Sequence, residues 1–194
     1  MEDPDFPDLA PEERAEVATG PWRFARDWVG AVLADDVDRA WTMMSEELRL
    51  ALAQMWIFHN PGVLSDSCAR GLDRDGLTER LLRADPADGL FINMRSVEIR
   101  TIREAMGVAS LDQLGTGSRP RPIGVDLELV RLFVMADLDV DDRGKPFFAA
   151  GASATCVSVI VSGADGGRRV AGFFDSLFRP GWPPAQERIV NPED

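Results

Sequence analysis

The sequence predicts an α+β domain, helices first and an antiparallel sheet after them, and three observations carry that expectation. Up to about residue 90, apolar side chains recur at helical spacing. Beyond it, four segments rich in Val, Ile, Leu and Phe are separated by Gly, Pro and Asp turns. The connections between the later segments, Asp141 to Lys145 and Gly163 to Gly167, are short enough for hairpins, so the last three strands should be antiparallel neighbours. Helices and strands segregated in this way pack as layers, with the helices on one face of the sheet. The expected architecture is a set of N-terminal helices on the concave face of a curved, mainly antiparallel sheet of about four long strands.

Each element has a local reason. Residues 1–20 carry Pro4, Pro7 and Pro11 among acids and are expected to be mobile, with one short helical turn at Glu12 to Val17. Gly20-Pro21 opens the first helix, because proline at the first helical position lacks an N–H that would be unpaired anyway. Ala25, Trp28, Val29, Val32 and Leu33 then form one apolar stripe. Asp35-Asp36 ends that helix and offers a cap for Val37 to Met44. Ser45 caps a third helix, with Glu46 and Glu47 at the positive end of its dipole and Leu48, Ala51, Leu52, Met55 and Trp56 along its stripe. Asn60-Pro61-Gly62 stops it. Val63 to Leu72 holds a helical turn at most, and Asp73 to Arg83 reads as a short helix with Leu77 and Leu81 four apart.

The four expected strands are Phe91 to Glu104, Ile123 to Asp137, Phe147 to Ser162 and Arg168 to Phe178. The first places Val97 and Ile99 on one face and Glu98 and Arg100 on the other. The second begins as an alternation and becomes apolar on both sides, which implies burial under helices and a bulge. Gly115 to Pro122 reads as a mobile loop, and Pro180 onwards as an extended tail bearing Trp182.

Composition narrows the function classes. The 194 residues are 45% hydrophobic, enough for one domain with a core. Runs such as Leu132 to Ala136 are far shorter than the ~20 residues that span a bilayer, so no membrane partner is expected. The acidic, proline-bearing N-terminus lacks the features of a secretory signal, which makes the cytoplasm the default compartment. Lys and Arg total 21 against 33 Asp and Glu, a formal charge of −12. Such a surface repels phosphate backbones and argues against nucleic acid. It serves solubility or meets a basic partner. Cys68 and Cys156 lie far apart without metal-ligand spacing, and no cofactor is expected.

Several residues carry chemistry in principle. His59, the single histidine, ends the third helix, where it is either a general base or a cation favourable to the dipole. Asp175 and Arg131 each interrupt an apolar strand, Asp175 beside Phe173, Phe174 and Leu177, and Arg131 between Val130 and Leu132. Asp175 either faces solvent or pairs with an Arg on a neighbouring strand, and Arg131 poses the same question with opposite sign; alternatively both turn inward toward His59 and form a site for a lyase, isomerase or hydrolase. Asp137, Asp139, Asp141 and Asp142 invite a calcium reading, but the sixth and twelfth loop places hold Asp142 and Phe148 rather than Gly and an acid. Trp22, Trp28, Trp41 and Trp56 all lie in the helical half. Trp28 and Trp56 sit in stripes and read as core. Trp41, next to Met43 and Met44, reads as the wall of a pocket for a flat apolar ligand. A pocket between helices and sheet would then be lined by Trp41, Met44, Trp56 and His59.

Phe24-Ala25-Arg26-Asp27-Trp28 through Asp35-Asp36-Val37-Asp38-Arg39-Ala40-Trp41, with the closing Arg169-Val170-Ala171-Gly172-Phe173, resembles the opening helix pair and last strand of the nuclear-transport-factor-2-like superfamily. The resemblance covers residues 21–179 and implies a single cone-shaped α+β domain, flanked by the segments 1–20 and 180–194. Members include ketosteroid isomerases, polyketide cyclases and many non-catalytic binding proteins, so fold does not settle function. This chain has no tyrosine and one histidine, which removes the tyrosyl oxyanion donor of the isomerases and the paired-histidine site of the superfamily's dehydratases; an Asp-Arg-Asp arrangement like that of its epoxide hydrolases stays open, with no spacing that singles one out. The preferred reading is a non-catalytic or at most cryptically catalytic domain that binds a small apolar ligand or a protein partner and, as relatives of this fold often do, forms a homodimer through its sheet. The competing readings are the enzyme built on His59, Arg131 and Asp175, and an acidic protein-interaction module.

Overall fold

The computed structural model describes residues 20–116, 120–142, 146–147, 155–163 and 167–189. The expected mobile segment at 1–19, the turn residues 143–145 and 164–166, the stretch 148–154 of the third strand run, residues 117–119 of the Gly115–Pro122 loop and the tail beyond 189 lie outside the described residues.

The helices begin where capping side chains place them. Helix α1 (Pro21–Leu33) opens on extended Gly20 with Pro21 in its first turn, and α2 (Val37–Thr42) on Asp36, whose carboxylate accepts from the Arg39 amide. Helix α3 (Glu46–His59) is capped by Ser45, whose Oγ accepts from the Leu48 amide at 3.1 Å. Asn60 both ends α3 and precedes α4 (Pro61–Cys68), where the sequence allowed only a turn. Helix α5 (Arg74–Leu82) starts behind Asp73, whose Oδ1 accepts from the Gly76 amide at 2.8 Å.

The sixth helix corrects the sequence reading. The expected strand Phe91 to Glu104 is the body of α6 (Gly89–Met106), the longest helix among the described residues. Its buried residues are Phe91, Met94, Ile99, Ile102 and Met106, which share one helical face. The alternation Val97-Glu98-Ile99-Arg100 spans four residues only, too few to distinguish period 2 from period 3.6. The ends settle it. Asp88 accepts from the Leu90 amide at 2.9 Å, and Gly107, at φ 67, supplies the left-handed residue with which helices commonly end. The change of periodicity therefore falls at Gly107, not near residue 90.

Beyond it, the described residues form an antiparallel sheet of seven strands. Strands β1 (Leu114–Thr116) and β2 (Arg121–Gly124) both pair with β3 (Leu127–Val134), and the order then runs β3, β6 (Cys156–Ser162), β7 (Arg169–Phe173), β8 (Ser176–Arg179), β9 (Ala185–Arg188). A separate pair joins β4 (Asp139–Val140) to β5 (Pro146–Phe147). The long runs expected from sequence are cut by tight turns. Val125-Asp126 folds β2 onto β3, and Phe174-Asp175, at φ 53 and 52, folds β7 onto β8. Two positive-φ residues in a two-residue connection are what a right-twisted hairpin requires.

The register decides which strand residues meet the helices. Val130, Leu132, Val157, Val159, Val161, Val170, Phe173 and Phe178 join the core formed with the helices, whereas Arg131 and its partner Ser158 point to the opposite face. Helix α1 packs on β3 and β6, α3 on β7 and β8, and α6 lies against α1, α2, α3 and α5. Trp28 stacks on Phe173 at 5.9 Å and donates its indole N–H to the Ala40 carbonyl. At the α2–α3 junction the Ser45 amide donates to the Val170 carbonyl at 2.8 Å and the Val170 amide to the Met43 carbonyl at 2.9 Å, tying the helical layer to β7.

Asp88 serves two elements at once. Besides capping α6, it accepts from Arg80 on α5, Nη2 to Oδ1 at 2.9 Å, and this pairing is the first cause holding its carboxyl below the ordinary carboxylate range. Its stabilising effect is present above the unfolded-state pKa and is lost as pH falls through the lower folded-state value. Asp88→Ala is expected to cost about 2 kcal/mol, roughly half from the cap and half from the ion pair. Urea denaturation at neutral pH checks this, and the deficit should shrink in acid.

Candidate functional site

The residues that the sequence singles out separate into two groups. On the sheet face turned away from the helices, Arg131 and Asp175 form an ion pair at 3.4 Å, each about 30% exposed along its side chain. The turn that carries Asp175 is fastened to β6: the Phe174 amide donates to the Ser158 carbonyl at 3.0 Å and the Asp175 amide to Ser158 Oγ at 2.6 Å. Ser158 is buried, and the Arg131 Nε is buried with no hydrogen-bond partner among the described residues. Burial pushes the nearby Cys156 thiol up, Asp175 adds to the rise and Arg131 opposes it. A thiol so placed stays protonated at neutral pH and is a poor nucleophile. The cluster orients a hairpin turn; it has a charge pair but no activated group.

His59 is elsewhere. It is the last residue of α3, exposed, with its ring edge-on to Phe58 at 5.4 Å between centroids. Trp41, Met44 and Trp56 are 3%, 0% and 5% exposed and belong to the core that helices and sheet share. Trp41 packs edge-on against Phe91 of α6. These three are core side chains, not walls of an open cavity.

An open cavity lies beside the C-terminal end of α3. It is a groove of about 330 Å³ lined by Ile57, Phe58, Pro61, Leu64, Arg74, Trp182 and Pro183. Four pieces of chain line it, one of them α5 through Arg74. Phe58 sits off the buried stripe of α3 and is 54% exposed, although it is a large apolar side chain. Asn60 donates from Nδ2 to the Trp56 carbonyl at 2.7 Å, which finishes α3, and Pro61 starts α4 in a new direction. That bend brings Leu64 opposite Ile57 and Phe58. The third piece is remote in sequence. After β8 the chain leaves the sheet and crosses α3, where the Gly181 amide donates to Gln54 Oε1 at 2.8 Å. Trp182 then lies against the domain, with the Arg74 guanidinium 4.5 Å from its ring centroid. The chain returns as β9, paired with β8 from Ser176↔Arg188 to Arg179↔Ala185.

Sequence reasoning missed most of this lining because stripes select the residues that face inward. The available signal was the converse: Phe58 and Trp182 are large aromatics left outside any stripe, one beside a helix stop and the other in a proline-rich segment. Among the described residues, no group of three or more His, Cys, Asp or Glu is placed to hold a metal ion, and no helix is long and apolar enough to cross a membrane. Asp137, from the acidic run, accepts the Thr155 amide at 2.9 Å, and that bond is the first cause of its lowered pKa. No family model, curated protein or solved structure matches this chain.

One further titratable group stands out. Glu98 is half-buried on α6 between Met94 and Ile102, one turn away on either side, and burial pushes its pKa up to about 7. No hydrogen bond or ion pair reaches it among the described residues. In the unfolded chain it ionises near 4.5, so the folded state binds the extra proton between the two values. Stability therefore falls as pH rises from about 4.5 to about 7 and stays lower above. Glu98→Gln, neutral throughout, should stabilise the protein by about 2 kcal/mol at pH 8, allowing for the water that still reaches the carboxylate, and by little at pH 5. Thermal unfolding of both proteins across this range measures the difference.

Proposed function

We propose that this protein is a non-catalytic binding module that takes a small, flat apolar ligand in the groove between α3, α4 and the Trp182 segment. The carrying observation is the groove itself: six of its seven wall residues are apolar, and one of them, Phe58, is left half in water. A volume of about 330 Å³ lies at the lower end of the range for small-molecule sites. Exposed aromatic surface beside a formed concavity is a standing gain for any ligand that covers it.

What supports a binding role over an enzymatic one is the placement of the polar groups. The groove walls include none of His59, Arg131 and Asp175, and the Arg131–Asp175 pair projects from the far face of the sheet. General acid–base work needs such groups within reach of one reacting point. The cone-shaped superfamily that the sequence resembles includes both binders and enzymes. The ligand reading rests on the groove, not on that resemblance.

Titration with 1-naphthamide, a neutral two-ring probe, tests the reading. Saturable one-to-one binding with a Kd of about 100 μM is expected for a probe of that size. Leu64→Trp should fill the groove and abolish binding while the unfolding temperature is maintained. Binding that survives this substitution would place the ligand elsewhere.

A further inference from the structure

We infer that the groove selects apolar anions: a ring or branched chain bearing one carboxylate, with the carboxylate seated on Arg74. This deepens the groove reading above and depends on it.

Arg74 is the one charged residue among the seven that line the groove. Its guanidinium lies over the Trp182 ring, 4.5 Å from the centroid, with the side chain about half in water. Its acidic neighbour is a weak partner. Asp75 Oδ1 lies 3.6 Å from the Arg74 Nε, beyond hydrogen-bond distance, and the Asp75 side chain is 72% exposed. No hydrogen bond engages the guanidinium among the described residues. The fork of donors thus lies beside apolar walls and is open to an acceptor. A carboxylate fits that fork with two parallel N–H···O bonds, which a neutral amide cannot reproduce with charge.

The charge balance sets the number of negative charges. The chain carries a formal −12, a field that disfavours anions over most of its surface. Preference for an anion must then be local to the groove, and one guanidinium matches one charge. A dianionic phosphate would bring a second charge with no partner among the wall residues.

Calorimetry with 1-naphthoate and 1-naphthamide, which share one ring system, tests the inference on the full chain. The naphthoate should bind about five- to ten-fold more tightly than the amide. In Arg74→Gln that preference should vanish. Equal binding of the two probes to the wild type would overturn the anion assignment and leave the groove reading standing. A preference that persists in Arg74→Gln would also overturn it. Failure of both probes to bind would sink the inference and the groove reading together. Should Arg74→Gln release Trp182 and lose both probes, Arg74→Lys decides: a retained naphthoate preference supports the assignment, and its absence refutes it.

Discussion

A single buried carboxamide determines where the C-terminal part of this chain goes. Gln54 lies on α3 one turn before Phe58, and is 8% exposed. A buried amide oxygen without a donor would cost on the order of 1–3 kcal/mol, so the position demands a partner. The Gly181 amide is that partner. Meeting it takes the chain out of the sheet after β8 and over α3, and the excursion carries Trp182 to Arg74. The groove has a third wall because one polar residue stands on a helix face that is otherwise apolar.

The excursion is anchored at its base as well. Arg179, the last residue of β8, pairs with Glu187 of β9 at 3.1 Å and with Glu47 of α3 at 3.4 Å. The Glu187 hydrogen bond is the first cause of its raised pKa. These exposed pairs contribute little energy singly, but they join β8 and β9, the two strands that flank the Gly181 segment, to each other and to α3, the helix that the Gln54 bond reaches. A loop whose two ends are adjacent strands and whose middle is pinned to a helix is a positioned loop, the usual setting for a binding surface on a rigid frame.

How much of this was legible in the sequence follows from the range of each interaction. The helices α1 and α3 were readable because proline, serine and acidic caps lie next to stripes long enough to show their period. Helix α6 was not, because Val97 to Arg100 alternates locally and the capping roles of Asp88 and Gly107 lie outside that window. The strands were readable as apolar runs, while their division at Val125-Asp126 and Phe174-Asp175 was hidden, since neither turn contains the glycine that normally announces positive φ. Arg131 and Asp175 did prove to be partners, 44 residues apart, though on the far face of the sheet from the helices. The groove was the least legible part. Gln54 and Gly181 are 127 residues apart, and no local pattern in either segment points to the other.

Binding in the groove requires the Trp182 segment to be a fixed wall. Amide hydrogen exchange at Gly181, followed residue by residue in the native protein, reads that contact directly. Strong protection is expected in the wild type, comparable to the paired amides of β8, with its selective loss in Gln54→Leu while β8 stays protected. A Gly181 amide exchanging at the free-peptide rate in the wild type, with β8 protected, would mean that the wall is not held and that the groove has no third side.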